Sequence, residues 1–162
     1  EAALELRRRG AELDIWIAGD RDPANPNSMT HAEIEAAREQ GAVRFLGHRS
    51  DVAALWRQAD IAVLPSYREG LPKSLLEAAA SGLPLVTTEV PGCRDLVPEG
   101  ETGVLVPPRD PAALANALQR LADDPEIRRS MGTAARWMVE QRFSDRAVGE
   151  AVIRLYDHVL SA

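Results

Sequence analysis

Apolar positions along the chain fall into short runs that alternate between a strand-like and a helix-like spacing. The opening EAALELRRRG reads as a helix, with Leu4 and Leu6 on it, three arginines behind them and Gly10 as its stop. AELDIWIAGD then predicts a strand, its apolar residues Leu13, Ile15, Trp16, Ile17 and Ala18 ending at Gly19-Asp20. The loop RDPANPNSM, held by Pro23 and Pro26, leads to Thr30 and Glu33, a capping-box pair that opens the helix HAEIEAAREQG. AVRFLG predicts a second strand, and Ser50 caps a short helix DVAALWRQA. IAVLP predicts a third strand, apolar and β-branched enough to be buried on both faces.

The stretch REGLPKSLLEAAASGLP predicts a helix over about 72–81, followed by a strand LPLVTT, a helical turn near RDLV and a strand TGVLVP. The remainder is helical. Asp110-Pro111 and Asp124-Pro125 are N-cap and first-turn proline pairs, and Ser144-Asp145 opens a last helix ending between Tyr156 and Leu160. Strands alternating with helices at this spacing predict one doubly wound α/β domain, a parallel sheet covered on both faces. Ligands of such sheets sit at the carboxyl ends of the strands, which singles out the loops at 19–28, 47–50 and 66–71.

Composition narrows the function classes. The chain has 162 residues, 45% hydrophobic and 27% charged, with a net charge of -6, which argues against a nucleic-acid or anionic-membrane surface. Cys93 is the single cysteine, so no internal disulfide can form, and a reducing, cytoplasmic setting is expected. No apolar run approaches the ~18–20 residues of a membrane span, and no basic-then-apolar leader opens the chain. Because Glu1 begins in the middle of a motif, the chain is expected to be a fragment of a longer protein.

The chemistry concentrates in the third loop and the helix after it. Glu69 follows the strand IAVLP at the carboxyl edge of the sheet, and Gly70 is expected to let the backbone turn tightly. Pro72 fits the first helical position, leaving the amides of Leu71, Lys73 and Ser74 at the helix start as an anion site to which Lys73 adds a full charge. Glu77 lies four positions after Lys73, roughly 6 Å further along the helix, the separation of a nucleoside diphosphate's phosphates from its ribose. A carboxylate there accepts two vicinal hydroxyls. Leu75, Ala78, Ala79 and Gly82 form a different stripe that packs on the sheet. Spacing alone leaves the alternative open: Lys73 and Glu77 as a surface i,i+4 pair, with Glu69 a solvated loop acid.

Other candidates carry less. His48 is a possible base in a loop, where histidine is more often incidental; His31 and His158 are expected to face solvent. Cys93 has no activating His/Asp constellation, and Trp16 and Trp56 fit core positions. No His/Cys cluster has metal-ligand spacing, and no Gly-x-Gly-x-x-Gly fingerprint is present. The basic cluster at 7–10 is expected to solvate a helix end.

Several motifs in order point further. Glu69, seven intervening residues and Glu77, followed by AAASGLPLVTTEVPG and later by GETGVLVPPRDPAALANAL, resemble the donor-binding domain of retaining glycosyltransferases of family 4, which have the two-domain GT-B architecture. The likeness covers nearly the whole chain from about Asp14. GDRDPANPNSM and FLGHRSDVAALW are similar to bacterial members that build capsule, O-antigen and related polysaccharide precursors. The resemblance implies the Rossmann-like C-terminal half of GT-B and retaining transfer from a nucleotide-sugar, a UDP-sugar, with no metal and no cofactor. It implies that Glu69 is the catalytic contact to the donor sugar and that Gly70, Leu71, Lys73 and Ser74 surround the diphosphate. Glu77 would hold the ribose, and Leu46, His48 and Arg49 would lie near the base.

The sequence departs from that family in three places. Its basic Arg and Lys, from a loop after the domain's first strand, are absent, as is the N-terminal acceptor domain. The family's paired glycines and glutamate after the next strand appear here as Pro91-Gly92 and Asp95. The expected partners are therefore a nucleotide-sugar and the missing acceptor domain. Any contact of the parent with the inner face of the cytoplasmic membrane would run through that domain, and the isolated chain is expected to be inactive. Two alternatives remain: a nucleotide-sugar 2-epimerase of the same fold, and a non-catalytic nucleotide-binding module.

Overall fold

Helix starts at Thr30, Asp110, Asp124 and Ser144 follow the capping chemistry written in the chain, whereas Ser50, expected to cap a helix, lies two residues before the helix that begins at Val52. The computed structural model describes residues 1–24, 28–98 and 100–161; Pro26, expected to hold a loop, lies outside them. Two compact units form, Glu1–Val52 and Ala53–Ala162.

The first unit holds α1 (Ala2–Arg8), β1 (Trp16–Ala18), α2 (His31–Gln40) and β2 (Arg44–Gly47). Thr30 and Glu33 form the reciprocal box: the Glu33 amide donates to Thr30 Oγ1 at 3.2 Å, and the Thr30 amide to Glu33 Oε2 at 2.7 Å. Those bonds to Thr30 hold the Glu33 carboxyl below its ordinary range. At the other end of α2, Arg7 donates to the Gln40 carbonyl at 2.5 Å, while Arg8 and Arg9 pair with Glu5. The basic cluster thus serves helix ends. Strands β1 and β2 are parallel, Trp16 opposite Arg44, with a register shift between Ile17 and Ala18. β1 is shorter than the apolar run predicts; Ile17 and Ala18 are exposed. Trp16 is half-buried under the Arg44 guanidinium, which also pairs with Asp14 at 2.9 Å.

Leading into the second unit is α3 (Val52–Trp56); then follow β3 (Ala62–Leu64), α4 (Lys73–Ala80), β4 (Leu85–Thr88), α5 (Pro91–Arg94) and β5 (Gly103–Val106). Three longer helices close the chain: α6 (Pro111–Asp123), α7 (Pro125–Arg142) and α8 (Asp145–Leu160). The sheet is parallel in the order β3-β4-β5. All four residues of β4 are buried, as a central parallel strand requires. β3 departs from the expectation of burial on both faces: as an edge of this sheet it alternates, with Ala62 buried and Val63 exposed. Asp110, Asp124 and Ser144 cap α6, α7 and α8 as their sequences predict.

Helices α4, α6 and α7 pack on this sheet. Leu75, Ala78 and Ala79 of α4 are buried together with Leu85, Val90, Leu96 and Val97, and Trp56 packs half-buried against them. In contrast, α8 buries none of its residues and exposes Val152, Ile153, Leu155, Tyr156 and Val159. Among the described residues no helix is long and apolar enough to cross a membrane.

Helix α7 closely approaches the backbone of the turn that follows α4. A Cβ added at Gly132 would lie 2.0 Å from the Gly82 carbonyl oxygen, nearer than any side chain fits. Gly132→Ala should therefore destabilise the chain by about 1–3 kcal/mol, read as a fall in the urea midpoint. An unchanged midpoint would mean that the contact of α7 with this turn is looser than described.

Candidate functional site

Backbone pairing between β3 and β4 ends at Leu64 opposite Thr87. The next residue, Pro65, has no N–H and cannot continue the ladder. Two threonine hydroxyls of β4 take over. Thr87 Oγ1 donates to the Leu64 carbonyl at 2.7 Å, and Thr88 Oγ1 donates to the Ser66 carbonyl. Both threonines are buried, so their hydroxyls need such partners. The loop leaving β3 is thereby fixed to the core strand.

On that loop, Ser66 Oγ donates to Glu69 Oε1 at 2.5 Å, and Glu69 is half-buried. The backbone beyond it rests on α5. A Cβ on Gly92 would lie 1.7 Å from the Gly70 carbonyl oxygen and 2.9 Å from that of Glu69. The glycine requirement expected at Gly70 is found here instead. Gly70 does not adopt a positive φ, and a Cβ on it would meet nothing within 4 Å. Of the two residues that depart from the family pattern, Pro91 opens α5 and Asp95 is exposed at its end.

Helix α4 begins one residue later than predicted. Pro72 is its N-cap, with φ -72° and ψ 106°, and Lys73 is the first helical residue. A proline has no side-chain acceptor, so none caps the helix. The Leu75 and Leu76 amides donate to the Pro72 carbonyl, which leaves those of Lys73 and Ser74 without partners among the described residues. Leu71, half-exposed, precedes the cap and is not part of the helix start. Glu77 is half-buried on the next turn, and its carboxylate has no ion-pair partner among the described residues. The i,i+4 pair with Lys73 is not formed, although Glu5 with Arg9 and Arg136 with Glu140 do close such pairs at 2.8 Å. Glu69, Gly70, Leu71, Lys73, Ser74 and Glu77 therefore share one loop-to-helix segment.

The other predicted contacts lie in the first unit. Leu46 is half-buried on β2 and His48 is exposed after it. Arg49 is engaged: its Nε and Nη2 donate to the two Asp51 oxygens at 2.8 and 2.7 Å. This fork holds Asp51 below its ordinary carboxyl range and raises Arg49, so a ligand would have to share the guanidinium with Asp51. His31 and His158 are exposed. Cys93 is fully buried, with Thr87 Oγ1 at 3.1 Å from its Sγ. Burial pushes its thiol pKa up; the Thr87 hydroxyl opposes that rise and the Glu69 charge adds to it.

Sequence reasoning passed over Thr88, named Ser66 only as the start of the loop 66–71 and Gly92 only as a departure from the family pattern, and assigned none of them a supporting role. A legible signal existed for one of them: two adjacent threonines in a strand otherwise apolar need acceptors, and a proline-terminated neighbour strand supplies them. Nothing local marks Gly92, because its contact comes from a loop twenty-two positions away in sequence.

Comparison with known proteins places this site in context. Residues 1–124 match the family described as glycosyl transferases group 1. Over 161 residues the chain is 41% identical to a glycogen synthase of Mycobacterium tuberculosis, covering 96% of this chain and 37% of that protein. An alpha-D-kanosaminyltransferase of Streptomyces kanamyceticus is 33% identical, 98% and 41% covered. The sucrose-phosphate synthase structure from Thermosynechococcus elongatus superposes with a TM-score of 0.81 at 29% identity, over 99% of this chain and 42% of that one. The chain thus spans about two fifths of the length of the curated relatives it matches, and its α/β fold with parallel strands is that of GT-B glycosyltransferases.

Two measurements test this geometry. Gly92→Ala should cost about 1–3 kcal/mol in stability and shift the amide resonances of residues 66–71; unmoved resonances would remove Gly92 as their support. Cys93 should react with a disulfide reagent only when the chain unfolds. Because its native pKa is raised, the unfolded chain loses the thiol proton first as pH rises, so this group's stabilising contribution is present below the thiol's ordinary pKa and lost above it. Wild type should therefore lose stability in alkali more steeply than Cys93→Ala, read from urea midpoints across pH.

Proposed function

The chain belongs to the glycosyl transferases of group 1, and we propose that it is the C-terminal, donor-binding part of a retaining enzyme of family 4. It takes a nucleotide-sugar, specifically a UDP-sugar, in the cytoplasm, for transfer to a polysaccharide or lipid-linked acceptor held by an N-terminal domain. Family membership favours transfer over epimerisation. The observation that carries the reading is the segment 66–77, where a held carboxylate, an uncapped helix start and an unpaired carboxylate follow one another.

The Lys73 and Ser74 amides and the Lys73 ammonium receive the diphosphate, where the helix dipole also favours negative charge. One turn on, Glu77 accepts the two ribose hydroxyls. Glu69 accepts a hydroxyl of the donor sugar and orients its anomeric carbon. No step of this scheme runs through a metal or cofactor; departure of the nucleoside diphosphate is assisted by positive charge. The family's basic pair that supplies this charge has no counterpart among these 162 residues, and loss of such stabilisation costs orders of magnitude in rate.

Calorimetric titration tests the assignment. This chain should bind UDP, and Glu77→Ala should weaken that binding about ten- to a hundredfold, as expected for hydrogen bonds to a charged acceptor. Undiminished affinity in Glu77→Ala would overturn the ribose role. Incubated with a UDP-sugar and acceptor extract, the chain should give no multiple-turnover transfer; sustained turnover would overturn the requirement for the further domain.

A further inference from the structure

We propose that Ser66 and Thr88 are positioning residues that set the Glu69 carboxylate for the donor sugar; this rests on the reading of Glu69 as the sugar contact. A glutamate on a loop after a strand ordinarily samples several rotamers, and ordering it on binding weakens affinity. Here the ordering is done beforehand. Ser66 Oγ donates to Oε1 at 2.5 Å, leaving Oε2 without a hydrogen bond among the described residues and thus open to a ligand hydroxyl. A serine can direct a carboxylate only if its own backbone is fixed. Ser66 is fixed by the hydroxyl of Thr88, which donates to its carbonyl from the buried strand β4. Gly92 closes the far side of the same loop against the Glu69 and Gly70 carbonyls. The chain of support runs from a core strand, through two hydroxyls, to one carboxylate oxygen.

None of these contacts reaches the helix start or Glu77, so the nucleotide and sugar parts of the ligand report on different residues. The test uses this chain, with UDP, UDP-glucose and UDP-N-acetylglucosamine as probes, in wild type and in Ser66→Ala, Ser66→Thr, Thr88→Val and Thr88→Ser. The readouts are the ratio of UDP to UDP-sugar dissociation constants and the side-chain scalar couplings of Glu69 in the unliganded chain. In Ser66→Ala and Thr88→Val the couplings should move from single-rotamer to averaged values. The ratio should fall about three- to tenfold for the better-bound sugar, with UDP affinity kept. Ser66→Thr and Thr88→Ser, which retain the hydroxyls, should restore both. A purely structural role would lower stability without moving the ratio. An unchanged ratio in Ser66→Ala with UDP binding intact overturns the positioning role, whatever the couplings do. Failure of the wild-type chain to bind UDP overturns the donor-site reading itself, and with it this proposal; that result precedes any variant.

Discussion

The site depends on what happens where β3 runs out of backbone hydrogen bonds. Pro65 ends the ladder, and a loop released there would have to find other partners for its carbonyls or leave them to water. Thr87 and Thr88 resolve both sides of that problem at once: buried hydroxyls obtain acceptors, and the Leu64 and Ser66 carbonyls obtain donors. A threonine pair in the central strand is therefore no defect in an apolar core. Replacing them with valines would keep the volume while orphaning the loop's carbonyls, and the strand's all-buried pattern means water could not easily substitute.

From that fixed point the two glutamates acquire different characters. Glu69 is held by a neighbour and sits beside Cys93, whose thiol its charge helps push up. Glu77 is presented by a helix turn whose opposite stripe, Leu75, Ala78 and Ala79, is locked in the core. The surface offers a standard for comparison. Acids elsewhere, half-buried Glu5 and exposed Glu35, Asp51 and Glu140 among them, close pairs with nearby arginines, each a weak interaction in water. Glu77, with Lys73 four positions before it, does not.

Much of the fold was legible because it is local. Thr30 with Glu33, Asp110 with Pro111, Asp124 with Pro125, and Ser144 each specify a helix start through bonds spanning two or three residues, and each forms as written. The errors fall where the deciding partner is remote or the register fine. Val63 is exposed on β3, an edge of its sheet, and neither that position nor which sheet face is left uncovered is encoded in an apolar run. Pro72 caps α4 and does not begin it, a one-residue difference that removes Leu71 from the helix start. Glycine was expected to matter at Gly70 because a turn was expected there; the constraint lies at Gly92, across the loop's contact with α5. The candidate residues of segment 69–77 were legible by spacing and motif, whereas their support from Ser66, Thr88 and Gly92 was not.

That division has a physical reason. Residues that touch a ligand must present a particular chemistry, so their type and order carry meaning along the chain. Residues that hold them need only the right hydroxyl, or the lack of a Cβ, at a point in space, and many local sequences supply that. A serine three positions before a glutamate is common; what makes Ser66 matter is that its carbonyl is held by a strand over twenty residues later. Glu69 thus draws its geometry from the most buried part of the second unit, while Glu77 draws its own from a helix. Substitutions in β4 should for that reason shift the Glu69 carboxylate through the loop before they disturb α4's uncapped start, even though both lie on the same dozen residues of chain.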